Sequence, residues 1–134
     1  MERDVYSARI KLLGEEDPDT LQAASDYAWN LLDLQHFEET RSLLRKMIPI
    51  ARRVLGEGND ATLGMRTIYA AALFDDTGAT LDDLREAVTT LEDAERIARR
   101  VLGGAHPATT AIEQSLRNAR AALRARETPP PRHA

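Results

Sequence analysis

The stretch RRVLGEGNDAT, residues 52–62, returns as RRVLGGAHPAT at 99–109, and IKLLGEEDPDT at 10–20 is a third version of it. Each copy carries an apolar pair, Leu12-Leu13, Val54-Leu55 or Val101-Leu102, followed at once by Gly14, Gly56 or Gly103. A glycine in that place accepts the left-handed conformation that ends an α-helix. A few residues later come Asp17-Pro18, Asn59-Asp60 and His106-Pro107. An Asp or Asn side chain accepts hydrogen bonds from the first free amides of a new helix, and proline suits its first position, where the missing N–H has no partner to lose. His106 is the weakest of the three caps. The phrase therefore says helix stop, short turn, helix start.

Between the phrases the apolar residues keep a helical spacing. Phe37, Thr40, Leu44, Met47, Ile48, Ala51, Val54 and Leu55 fall on one stripe. A shift of 47 residues, the distance from Gly56 to Gly103, turns that stripe into Leu84, Ala87, Leu91, Ala94, Glu95, Ala98, Val101 and Leu102. The preceding segments align at a shift of 42, the distance from Gly14 to Gly56, so that Tyr27-Ala28 matches Tyr69-Ala70 and Leu31 matches Leu73. The extra residues lie in DDTGATLDD, 75–83, where Thr80 and Asp83 read as a helix cap. Helices are thus predicted at 2–13, 18–34, 37–55, 60–75, 81–102 and 107–127. Pro49 lies inside the third of these and is expected to bend it without breaking it, because the stripe continues across it. TPPPRHA, 128–134, has no periodicity and reads as a disordered tail. The fold class is all-α, a right-handed α-α superhelix of about six antiparallel helices.

The segment DPDTLQAASDYAWNLLDLQHFEETRSLLRKMIPIARRVLG, 17–56, resembles a tetratricopeptide repeat of the kinesin light chain type, whose outline is HPD…LNNLA…QG-Y-EA…AL-I…LG. Tyr27-Ala28 stands for Leu-Ala, Phe37-Glu38-Glu39-Thr40 for Tyr-x-Glu-Ala and Leu55-Gly56 for Leu-Gly, while the third copy supplies His106-Pro107. The likeness spans about residues 5–125. It departs from the pattern at the paired Asn, which would fall at Ser25-Asp26, Thr67-Ile68 and Gln114-Ser115, and at the inter-helix glycine, here Gln35. The resemblance divides the chain into a half repeat at 2–13, repeats at 18–55 and 60–102, and a capping helix at 107–127. In that last helix Arg117 and Arg120 replace the Ala28 and Leu31 of the first pair, so Arg117, Arg120 and Arg124 should face water, as the end of a solenoid requires. DVYSARIKLL, 4–13, reads as the second helix of a missing pair, as in an excerpt of a longer array or a re-engineered one.

Tetratricopeptide arrays bind peptides or partner helices on the surface lined by the first helix of each pair, and the resemblance implies such a groove here. Its expected residues are Gln22, Ser25, Asp26, Trp29, Leu32 and Asp33 in the first pair, Gly64, Thr67, Ile68, Ala71, Phe74 and Asp75 in the second, and Ala111, Gln114, Ser115 and Asn118 in the capping helix. Trp29, Leu32, Ile68 and Phe74 serve there either as anchors for a partner or as packing between successive first helices. An adaptor that takes a protein or peptide ligand is the first reading. The other is a self-assembling element that oligomerises through its N-terminal helix.

Composition narrows the remaining choices. The 134 residues carry a net charge of −4 with no cysteine, which argues against nucleic acid or an anionic membrane as partner and excludes disulfides. The N-terminal segment is no signal peptide, and no apolar run approaches the length of a membrane span. A soluble cytoplasmic protein is expected. His36, His106 and His133 have no second ligand at metal-binding spacing, DDTGATLDD lacks the ligand order of a calcium loop, and LGEGND lacks the lysine of a phosphate loop. Arg52-Arg53 and Arg99-Arg100 complement the C-terminal dipoles of their helices. No catalytic residue, metal or cofactor is expected.

Overall fold

A computed structural model describes residues 2–127, so the tail reading at 128–134 lies outside the described residues. Six helices and no strand make up this span: α1 (Glu2–Leu13), α2 (Pro18–Asp33), α3 (Phe37–Val54), α4 (Asp60–Phe74), α5 (Leu81–Val101) and α6 (Pro107–Glu127). The caps explain why the boundaries fall where they do. Asp17 Oδ1 accepts from the amides of Asp19 and Thr20, and Asn59 accepts from that of Ala61. Thr80 and Asp83 form a reciprocal capping box. His106 also caps, its Nδ1 accepting from the amide of Ala108 at 3.0 Å. At the other ends, Gly14, Gly56 and Gly103 have φ of +84°, +93° and +91°. Their amides donate back to the carbonyls of Ile10, Ala51 and Ala98.

One turn departs from the glycine rule. Gln35, at φ +60°, ends α2 in the left-handed region: its amide donates to Leu32 and that of His36 to Leu31, which is the Schellman arrangement.

Each helix packs on the next in the chain, and α2, α4 and α6 also pack on one another in a row. The backbones of α1, α3 and α5 do not approach each other. Small residues make the close packing possible: Ala28, Ala70, Ala87, Ala94, Ala98 and Ala119 are fully buried, with Leu21, Leu44, Met47, Leu63, Met65, Leu73 and Leu91 filling the space between. Truncating a fully buried leucine in such a core costs about 2–5 kcal/mol. The threonine that closes each copy of the repeated phrase is wholly buried. Thr20 donates to the carbonyl of Arg9, and Thr62 to that of Ala51, so each ties its helix to the last turn of the one before. On α1, Tyr6 packs against Tyr27 and its hydroxyl donates to Met47 Sδ.

Two residues of the expected core stripe are displaced. Val54 and Val101 are exposed, because the stripe drifts off the core at the ends of α3 and α5. Val101 instead leans on the turn before α4, where a Cβ added to Gly58 would lie 2.9 Å from its methyls. The helix α3 runs unbroken through Pro49, whose ring is on the exposed side. Arg117, Arg120 and Arg124 are exposed, and Arg120 pairs with Glu92 of α5. A less exposed pair ties α4 to α5: Arg66 is buried and its Nη2 lies 2.7 Å from Asp93, which also pairs with Arg96. The Arg66 guanidinium, aided by Arg96 and Arg52, holds the Asp93 carboxyl below the usual carboxylate range.

Candidate binding groove

The row α2, α4, α6 forms a continuous surface, and Trp29 of α2 lines each of its clefts. Trp29 is 55% exposed, while Ile68, one helix over, is buried at 5%. Of the two roles weighed for these apolar residues, Ile68 therefore takes packing, as the floor of the surface, and Trp29 stands above it. The register explains the hollow beside the indole. The shifts of 42 and 89 residues that superpose the helices bring Trp29 onto Ala71 and Asn118, both smaller.

Three clefts meet at Trp29. A cleft of about 540 Å³ is lined by Trp29, Leu32, Asp33, Thr67, Ile68, Ala71, Phe74, Asp75, Ser115 and Asn118, with Gln35 and Phe37 at its end. A second, of about 520 Å³, is formed by Ser25, Asp26, Asn30 and Asp33 with Glu2 of α1, and Trp29 and Ile68 border it. A third, of about 360 Å³, opens between the first turns of α4 and α6, lined by Asp60, Leu63, Gly64, Thr67, His106, Pro107, Ala108, Ala111 and Ile112, again with Trp29 and Ile68.

Fourteen of the sixteen residues expected in the groove line these clefts, all but Gln22 and Gln114. Gln22 and Gln114 line none of the three. They bond along their own helices instead, Gln22 to Asp26 and Gln114 to Asn118, while Arg117 donates to Gln114. What the sequence reading missed is most of the third cleft. In sequence His106, Pro107 and Ala108 signal only a helix start, although their place in the repeated phrase brings one first turn against the next.

The electrostatics of the groove differ from those of the rest of the surface. Asp26, Asp33, Asp60 and Asp75 have no Lys or Arg within ion-pair distance among the described residues, and no Lys or Arg lines any of the three clefts. Elsewhere most carboxylates are matched, Glu15 with Lys46, Glu16 with Arg53, Glu57 with Arg52, Glu113 with Arg99 and Asp76 with Arg41, while Asp17 and Asp83 cap helices and Glu86 accepts from Tyr69. Partial burial raises the pKa of Asp75 above the ordinary carboxylate value. A cation arriving beside it would favour the ionised form and reverse that shift.

The histidines stay apart. His36 lies 3.8 Å from Glu39 in the turn before α3, and His106 caps α6. No group of His, Asp and Glu among the described residues is placed to hold a metal ion. None of the helices is long and apolar enough to cross a membrane.

Comparison with known families finds that residues 20–60 match the tetratricopeptide repeat. The matched segment begins at the buried Thr20 and runs through α2, α3 and the turn to Asp60. No curated protein matches the chain.

Proposed function

We propose that the α2, α4, α6 surface binds a segment of a partner protein, extended or helical, that carries Lys or Arg beside apolar anchors. The role is that of an adaptor or scaffold of the kinesin light chain type, acting in the cytoplasm without a catalytic step. Its units are the half repeat at 2–13, the repeats at 18–55 and 60–102, and the capping helix at 107–127. The observation that carries this reading is one exposed tryptophan at the meeting point of three clefts whose carboxylates lack cationic partners. Aromatic anchors at the centre of a concave site, with a charged rim, are the usual energetic core of an interface. Residues 20–60 belong to a repeat whose arrays bind proteins, which supports the same reading.

The test is Trp29→Ala. Because the indole is more than half exposed, its loss should leave helicity and melting unchanged and weaken partner binding by about 2 kcal/mol. In the free protein its fluorescence should be red-shifted and quenchable. A blue, protected emission, or a lowered melting temperature in Trp29→Ala, would assign the residue to packing instead.

A second reading rests on α1, where Leu12 is 81% exposed and Val5 and Leu13 are also open to solvent. Self-assembly through this helix predicts an apparent mass that rises with concentration and falls back in Leu12→Glu. An adaptor stays monomeric in the absence of its ligand.

A further inference from the structure

Gly64 has no reason to be glycine within its own fold. It sits in α4, where glycine weakens a helix relative to alanine, and its φ is not in the left-handed region. Packing does not require it either, since an added Cβ would meet only Ser25 Oγ, at 3.9 Å, an ordinary contact. Gly58 shows the contrast, because Val101 crowds it at 2.9 Å. Gly64 lines the 360 Å³ cleft between the first turns of α4 and α6, and a Cβ there would have no other neighbour within 4 Å. The same register position is Gln22 in α2 and Ala111 in α6, so the row narrows to small residues only where this cleft opens.

We infer that this cleft is the specificity pocket of the groove: it takes one large aliphatic or aromatic side chain of the bound segment, and Gly64 is kept small to admit it. The inference rests on the binding reading above and adds to it a chosen pocket and its occupant. The lining settles the chemistry. Leu63 and Ile112 are buried in its wall, Gly64 and Ala111 leave it open, and Trp29 stands at its rim. Asp60, at the mouth, has no basic partner among the described residues, and no Lys or Arg lines the cleft. The occupant is therefore an apolar side chain with a basic neighbour in the same peptide, whose ammonium or guanidinium group meets Asp60. An acidic peptide would bring like charge to that rim.

The experiment titrates the isotope-labelled full chain with acetyl-Lys-Lys-X-Lys-Lys-amide peptides in which X is Leu, Phe or Ala, following backbone amide shifts. The Leu and Phe peptides should bind about tenfold more tightly than the Ala peptide, as burial of one such side chain predicts. They should move the amides of Gly64, Ala108 and Ala111. Gly64→Ala should raise the melting temperature and lower affinity for the Leu peptide, and Gly64→Leu should abolish discrimination between X residues. A rise in stability with a fall in binding is a pair of signs that a damaged fold does not produce. Peptides that bind the groove with no preference for X, or a Gly64→Leu protein that still discriminates, would overturn the pocket and leave the groove reading standing. If no peptide shifts any amide of α2, α4 or α6, both fall together.

Discussion

Gln35 is the place where the chain puts an ordinary side chain in a left-handed turn, and Gln35→Gly measures what that costs. An L-residue in the left-handed region loses about 1–2 kcal/mol relative to its favoured conformations. Glycine recovers this but gives back about 0.5–1 kcal/mol through the greater freedom of the unfolded chain. The net expectation is a stabilisation of about 0.5–1 kcal/mol, or about 2–4 °C in melting temperature for a chain of this size. The helix ends should not otherwise change, because Gln35 is exposed and the Schellman bonds from Gln35 and His36 use backbone atoms alone. Thermal and urea unfolding, followed by far-ultraviolet circular dichroism, supply the measurement. Gln35→Ala is the control, since alanine keeps the strain and should gain little. The inverse substitution, Gly56→Gln, should destabilise by a similar amount, because a Cβ there meets no atom within 4 Å and only the φ of +93° opposes it. If Gln35→Ala stabilises as much as Gln35→Gly, the gain comes from removing the side chain and the argument from φ is refuted.

Three further outcomes follow from the packing and the charges. Asp93→Asn should destabilise by about 2 kcal/mol, less than a fully buried pair because Asp93 keeps some exposure, since it strips the buried Arg66 of its counter-charge. The folded-state pKa of Asp93 lies below its unfolded value, so its contribution is complete above about pH 4 and is lost as pH falls through the folded value; acid titration of stability in the wild type and in Asp93→Asn should converge at low pH. Gly58→Ala should destabilise by about 1–3 kcal/mol as its Cβ is forced against Val101, and Val101→Ala in the same chain should restore much of the loss, read by urea midpoint. Binding of a basic peptide should weaken as pH falls through the raised pKa of Asp75, and calorimetry should detect proton release on binding in that window; Asp75→Asn should remove both effects.

The architecture was legible because its signals are local. Gly14, Gly56 and Gly103 at helix ends, with Asp17, Asn59 and Thr80 at helix starts, place the boundaries by short-range conformational and capping energies, and the observed bounds fall within one residue of those read from the pattern. Periodicity served less well at helix ends: Val54 and Val101 continue an apolar stripe in sequence, but by the last turn that stripe has rotated off the core. In the groove, the sequence leaves Trp29 open between anchor and packing, and its exposure is visible only in the structure. Two further features lay beyond such reasoning. Which carboxylates lack a cation depends on partners as distant in sequence as Glu16 and Arg53, and the third cleft exists only because the first turns of α4 and α6 meet in space. His106 proved a competent cap because its Nδ1 reaches the Ala108 amide as an Asp or Asn oxygen would.

Because each helix packs on the next and beyond that only on the next but one, along the inner row and, through Tyr6 and Met47, from α1 to α3, the backbone of α1 does not approach α5 or α6. Folding then needs no distant segments to find each other, a topology that permits rapid assembly from any starting pair. The reverse also holds: opening can begin at either end and travel inward like a zipper, leaving the opposite end intact. A ligand lying along α2, α4 and α6 would bridge the three units at once, so its stabilisation should appear less as a stronger helix than as ends that melt together.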